Sequence, residues 1–198
     1  MTRRRVNNPL ALAVLACLVE RPMHPYEMST TLRTRGKERS IKLNYGSLYS
    51  VVDSLQRHGL IETQGTVREG RRPERTVYAI TDAGRAATRE WLEEMLAVPR
   101  QEFPEFPAAL SHVMMLTPQE ALGLLTRRET LLTAMHQGLE AGLASTAAMP
   151  RVISLESEYV LATATAQLTW LRSVIDDLRT GRLSWSEAEL KALLDDRG

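Results

Sequence analysis

The stretch NYGSLYSVVDSLQRHGLI, Asn44 to Ile61, decides the fold. Leu48, Val51, Val52 and Leu55 recur at i, i+3, i+4 and i+7, so a helix here has one apolar side, with Gly46, Ser50, Asp53 and Arg57 on the other. Gly59 stops it. Beyond it, Leu60–Val67 and Thr76–Ile80 are short β-branched or aromatic-containing segments separated by the polar REGRRPER, which predicts a hairpin. A helix followed at once by a basic hairpin reads as a recognition helix and its wing, the outer face of the helix being free to enter a major groove.

Upstream, Asn8 as N-cap and Pro9 at the first helical position open a helix to Glu20, and Pro25 opens a second to Thr34. A basic connection through Lys42 leads to the third helix. Three helices and a hairpin describe a winged helix-turn-helix. Thr81 then caps a helix to about Val98, after which VPRQEFPEFP carries Pro99, Pro104 and Pro107 and cannot be one continuous helix. The expected organisation is a winged-helix domain at 1–98 with its connecting helix, a Pro-rich linker at 99–107 and a helical domain at 108–198. In the last, Thr117-Pro118-Gln119-Glu120 is a capping box that opens a helix to about Ser145, and Pro150 restarts the chain into a helix to about Arg179. Leu161, Ala164, Leu168, Leu171, Ile175 and Leu178 alternate at spacings of three and four along it, a coiled-coil-like seam read as lying in or beside a dimer interface. Ser184-Trp185-Ser186-Glu187 reads as a further capping box before a short terminal helix. The expected fold class is mainly α with a small β-hairpin: an N-terminal winged helix-turn-helix plus a C-terminal helical dimerisation domain.

The chain of 198 residues has a net charge of only +1, but residues 1–98 hold 16 Lys and Arg against 11 Asp and Glu, whereas residues 99–198 hold 9 against 13. A surface for an anionic partner therefore belongs to the first half. Cys17 is the only cysteine, which excludes an intrachain disulfide and any zinc site built on cysteine pairs. His24, His58, His112 and His136 show no metal-ligand spacing, so neither metal nor cofactor is expected. Arg3, Arg4 and Arg5 before LALAVLACLV imitate a secretion signal ending at Cys17, but Leu18 and Val19 prolong the apolar run where a lipoprotein would need a polar tether. No other run approaches the roughly 20 apolar residues that span a bilayer. A soluble cytoplasmic protein is expected.

A groove-reading helix needs small or polar side chains near its N-terminus, where free N–H groups also attract phosphate. Asn44, Tyr45, Gly46, Ser47, Tyr49 and Ser50 meet that need. At the wing, Arg68, Arg71, Arg72 and Arg75 would cluster and repel one another without an anion, and Pro73 restricts the loop that carries them. An ordinary solvated helix and loop is the alternative for each feature taken alone.

LAVLACLVERPMHPYEM, GSLYSVVDSLQRHGLIE and GRRPERTVYAITDAGR together resemble the PadR (phenolic acid decarboxylase repressor) family of winged-helix transcription regulators. FPAAL, LESEYVLA and WLRSVIDDLRTGRLSW resemble the longer C-terminal domain of one subgroup. The resemblance implies a homodimer whose C-terminal helices pair and whose winged helices each address half of a palindromic double-stranded DNA operator, with repression as the family default. It also places Tyr26 and Tyr49 near phosphates. Pro25 stands where the family often has Gly, and Ser47 where it often has Thr, which keeps the hydroxyl.

An enzyme would need a nucleophile or an acid–base pair in a pocket. No GxSxG, HExxH, Walker loop or dinucleotide fingerprint occurs, and adjacent carboxylates such as Asp176 and Asp177 or Glu93 and Glu94 point in different directions on a helix. A helical protein-interaction module using its Arg-rich loop on acidic partners is the alternative to DNA binding. A small apolar or aromatic effector is a refinement of the regulator reading. Trp91, Phe103, Phe106 and Trp170, with His112, Met114 and Met115, are the candidates to line its cavity between the domains, and equally candidates for ordinary core.

Overall fold

The computed structural model describes residues 8–67, 75–186, 188–189 and 191. Two compact units divide the chain, Met1–Gln101 and Glu102–Gly198.

The first unit is built on α1 (Pro9–Glu20), whose start is fixed by Asn8 Oδ1 accepting the Ala11 N–H at 2.9 Å. Ala11, Val14, Leu15 and Leu18 are fully or almost fully buried, so the run that imitates a secretion signal is the central helix of the core. Burial also pushes the Cys17 thiol above its ordinary value. Around α1 pack α2 (Pro25–Thr34), α3 (Tyr45–Arg57) and α4 (Asp82–Ala97). From α3, Leu48, Val52 and Leu55 are buried and Val51 packs beside them, as the periodicity requires.

Strands β1 (Ile61–Val67) and β2 (Arg75–Ile80) form the antiparallel hairpin, pairing Ile61 with Ile80 and Val67 with Arg75, with an irregularity between Thr63 and Gly65. Met23, between α1 and α2, adds a single bridge by exchanging backbone hydrogen bonds with Tyr78 at 3.0 and 3.1 Å. The base of the wing is thereby tied to the core. Gly59 takes φ +69°, the left-handed conformation that lets the chain leave α3 directly into the hairpin. Thr81 closes the other end: its hydroxyl donates to Gly59 O at 2.7 Å and accepts the Gly84 N–H at 3.0 Å.

In the second unit, Pro104 precedes α5 (Glu105–Leu110), so residues 105–107, expected as linker, open a helix instead. Pro107 is tolerated because it lies in the first turn, where its missing N–H has no helical partner. A 3₁₀ turn at Val113–Met115 leads to α6 (Pro118–Ser145), opened by the expected box: Thr117 Oγ1 accepts from Glu120 N at 3.2 Å and Glu120 Oε2 from Thr117 N at 2.8 Å. Residues 151–153, expected to begin the last long helix, form a 3₁₀ turn, and α7 runs Leu155–Thr180. Arg172 Nε donates to Glu129 at 2.9 Å and His136 lies 2.8 Å from Thr165 Oγ1, which makes α6 and α7 an antiparallel pair.

That pairing changes the meaning of the α7 seam. Ala164 and Leu168 are buried with Leu132 and Leu139 of α6, with Leu161 packed against them; Leu171 and Ile175 are buried with Leu125, with Leu178 alongside. The seam expected in or beside a dimer interface therefore packs against α6 of the same chain. After α7, Ser186 and Glu189 form a reciprocal cap, with Ser186 N donating to Glu189 Oε2 at 2.8 Å and Glu189 N to Ser186 Oγ at 3.2 Å; the capping box expected at Ser184 to Glu187 falls on Glu187, which lies outside the described residues.

Candidate nucleic-acid interface

The N-terminal turn of α3 is set by Asn44, whose Oδ1 accepts the Ser47 N–H at 2.7 Å. This cap fixes the direction in which the first turn leaves the protein, and it engages the Asn44 carbonyl oxygen that would otherwise face a partner. Ser50 Oγ donates to Gly46 O at 2.9 Å, leaving its lone pairs as the outward chemistry. Tyr45 and Tyr49 are both more than two-fifths exposed, an unusual disposition for large aromatics that can instead present hydroxyls to phosphate. Tyr26, also about half exposed, stands in the first turn of α2.

Gly46 is informative because the protein itself does not require a glycine there. A Cβ at this position would meet only Asn44 Oδ1 at 3.8 Å, ordinary contact distance, and the residue is exposed in helical conformation. Glycine in a helix interior costs up to about 1 kcal/mol relative to alanine. An unforced glycine on the exposed first turn suits the close approach of something outside the chain.

Lys42, Asn44 and Ser47 line a surface depression of about 510 Å³ with Asn8, Pro9 and Ser40. The N-terminal ends of α1 and α3 both border it, so two partial positive charges meet beside Lys42. An anion is the favoured visitor.

Two supporting residues escaped the sequence reading. Arg33, in the last turn of α2, places its guanidinium 5.0 Å from the centre of the Tyr45 ring and donates to Tyr45 Oη at 3.3 Å. It holds the ring beside the α3 N-terminus. His24 caps α2, its Nδ1 accepting the Tyr26 N–H at 3.0 Å, while Glu27 Oε2 accepts the His24 N–H at 2.9 Å. The only sequence signal was a His-Pro pair three residues before a glutamate. On the wing, Arg68, Arg71 and Arg72 lie outside the described residues, as does the side chain of Arg75, whose backbone opens β2.

The expected effector residues are divided between the two units. Trp91 packs on the core of the first unit, and Phe103 is 85% exposed. Phe106 and Trp170 do meet, edge to face at 6.0 Å between ring centres, inside the second unit. Among the described residues no cluster of three or more His, Cys, Asp or Glu is placed to hold a metal, and no helix is long and apolar enough to cross a membrane.

The family described as "Transcriptional regulator PadR-like family" matches residues 14–90, from the middle of α1 through the wing into α4. The chain carries a PadR-like domain. No curated protein matches it. Among solved structures, Bacillus subtilis PadR in complex with operator DNA is similar at a TM-score of 0.72 and 20% identity, covering 86% of this chain and 99% of that one. The same protein in complex with p-coumaric acid is similar at 0.69 and 19%, covering 88% and 99%. The Vibrio cholerae virulence activator AphA is similar at 0.68 and 21%, covering 86% and 98%. At these identities the likeness establishes the fold, which extends beyond the PadR-like domain to the helical second unit.

Proposed function

We propose that this chain is a sequence-specific DNA-binding transcriptional regulator in which the exposed first turn of α3 reads the major groove and the wing arginines contact phosphates. The observation that carries the reading is Gly46: an exposed glycine with no internal need for it, flanked by exposed tyrosines, on a helix whose opposite side is buried in the core. Tyr26, Lys42, Asn44, Tyr45, Ser47, Tyr49 and Ser50 supply polar contacts around it, and Arg68, Arg71, Arg72 and Arg75 supply the charge that binds a polyanion. The PadR structure solved with operator DNA supports the same use of the fold.

The working form is a homodimer on a palindromic operator, located in the cytoplasm. With the α7 seam covered inside the chain, the outer side of α6 is the face we assign to pairing: Leu124, Leu131 and Met135 are exposed there, and Gly138 continues the stripe at heptad-like spacing. Repression is the direction of control we adopt, with release by a small molecule. Protection mapping on DNA upstream of the chain's own gene and its neighbours tests the reading. A symmetric footprint with two half-sites about one or two helical turns apart is expected. Complex formation with protein partners that DNA competitor leaves unchanged, and no footprint, would favour the interaction-module alternative.

A further inference from the structure

The second unit holds a cavity of about 810 Å³, within the range of small-molecule sites. Its walls come from α5, the 3₁₀ turn, α6, α7 and the segment after α7, including Met114, Trp170, Val174, Leu178, Trp185 and Glu189. Nothing in the residues expected to line an effector site anticipated the wall contributed by that last segment.

The wall is built rather than loose. Gly181, at φ +74°, reverses the chain at the end of α7, and Leu183 N donates back to Asp177 O at 3.0 Å. Arg182 Nε donates to Asp177 at 2.7 Å. Trp185 donates its indole N–H to Leu116 O at 2.8 Å, so its polar atom is satisfied by the protein and apolar surface is what remains for a ligand. Trp170 is steadied by the edge-to-face contact with Phe106, over which Arg128 stacks at 3.6 Å from the ring centre. Two indoles held in this way favour a flat aromatic body.

Charge then narrows the ligand. Glu189 is the one charged group among the described lining residues, and its carboxylate is held by Ser186 N and Oγ at 2.8 and 2.9 Å. Arg128 does not line the cavity. A carboxylate or sulfonate bound here would meet a like charge held in place by its cap at the exposed edge of the cavity.

We propose that this cavity, walled by α7 and the segment that folds back after it, is a binding site for neutral or cationic aromatic molecules and discriminates against aromatic anions. The proposal rests on the second unit alone, so it stands or falls separately from the DNA-binding reading.

The test uses the full-length protein without DNA and two fluorescent probes of the same aromatic skeleton, neutral N-phenylnaphthylamine and anionic anilinonaphthalene sulfonate. Saturable binding of the neutral probe at one per chain is expected, with the sulfonate at least about tenfold weaker, a gap of roughly 1.4 kcal/mol. Glu189→Gln keeps a capping residue while removing the charge, and should close most of that gap. Val174→Trp and, from the more exposed 3₁₀ turn, Met114→Trp should each weaken the neutral probe at least about tenfold with helicity by circular dichroism unchanged; if one misfolds, the other decides. Equal affinity for the two probes in the wild type, no saturable binding, or binding that survives in the folded tryptophan variants overturns the proposal. So does neutral-probe binding that emerges only on dissociation into monomers, which would mean that a second copy fills the cavity.

Discussion

Gly84, in the first turn of α4, packs so closely on the backbone of Leu60 that a Cβ at position 84 would collide with the Leu60 carbonyl oxygen and with Ile80 Cγ1. The helix that leaves the wing is thus locked to the residue that enters it. Backbone cannot move aside as a flexible side chain can, so Gly84→Ala should cost at least about 2 kcal/mol, at the upper end of overpacking penalties. Urea denaturation measures this, and an unchanged midpoint would mean that α4 is not seated on the wing as described.

The wing arginines should act through charge rather than sequence. Arg71→Ala and Arg72→Ala are each expected to weaken binding similarly on specific and unrelated DNA, and to reduce the slope of log affinity against log salt by about 0.9 per lost contact, hence about twice that in a dimer. A salt titration with an unchanged slope would remove them from the phosphate contacts.

Pairing and folding should separate by helix face. Leu168→Asp with Leu171→Asp places two charges in the covered seam between α6 and α7 and should unfold the second unit rather than yield a folded monomer. Leu131→Asp, on the exposed side of α6, should keep helicity and give monomer mass in sedimentation, with much weaker operator binding because the second half-site contact is no longer intramolecular. A dimeric Leu131→Asp protein would place the interface elsewhere.

Acid should loosen both units. The His24 N–H donating to Glu27, helped by Arg21, holds the Glu27 carboxyl below its usual 4.5, and the Thr117 N–H and hydroxyl do the same for Glu120. A carboxylate depressed on folding adds stability that is present above its unfolded value and lost as pH falls through the lowered folded value. Urea midpoints should therefore hold down to about pH 5 and decline below about 4.5. Glu120→Gln, which keeps an acceptor without a titration, should show a smaller decline, whereas an identical decline would assign the acid sensitivity to other groups.

Legibility in the sequence followed locality. The bounds of α1 and α2 were readable because Asn8 as N-cap and Pro9 and Pro25 at the first helical position act on their own first turn, and Leu48, Val52 and Leu55 declared a buried side through their spacing. Spacing could not say what covers an apolar side. Leu168 and Leu171 suggest a seam in or beside a dimer interface, because a periodic stripe looks the same whether its partner is another chain or α6. The long-range bond from Trp185 to Leu116, which fixes the segment after α7, is contained in no local rule. Arg33 and Gly84 went unnoticed for the same reason, since Tyr45 and Leu60 are distant in sequence from them.

The central claim, that the exposed first turn of α3 reads DNA, is tested most directly by titrating wild type and Gly46→Val against the protected operator fragment. A Cβ at Gly46 meets nothing closer than 3.8 Å inside the protein, so the variant should fold with stability within about 1 kcal/mol of wild type. Leu55→Ala, on the buried side of the same helix, provides the contrast and should lose about 2 to 5 kcal/mol. A folded Gly46→Val protein whose operator affinity falls at least about tenfold, while its weak binding to unrelated DNA persists, is the predicted result. A folded Gly46→Val protein that binds the operator as tightly as wild type would contradict the account.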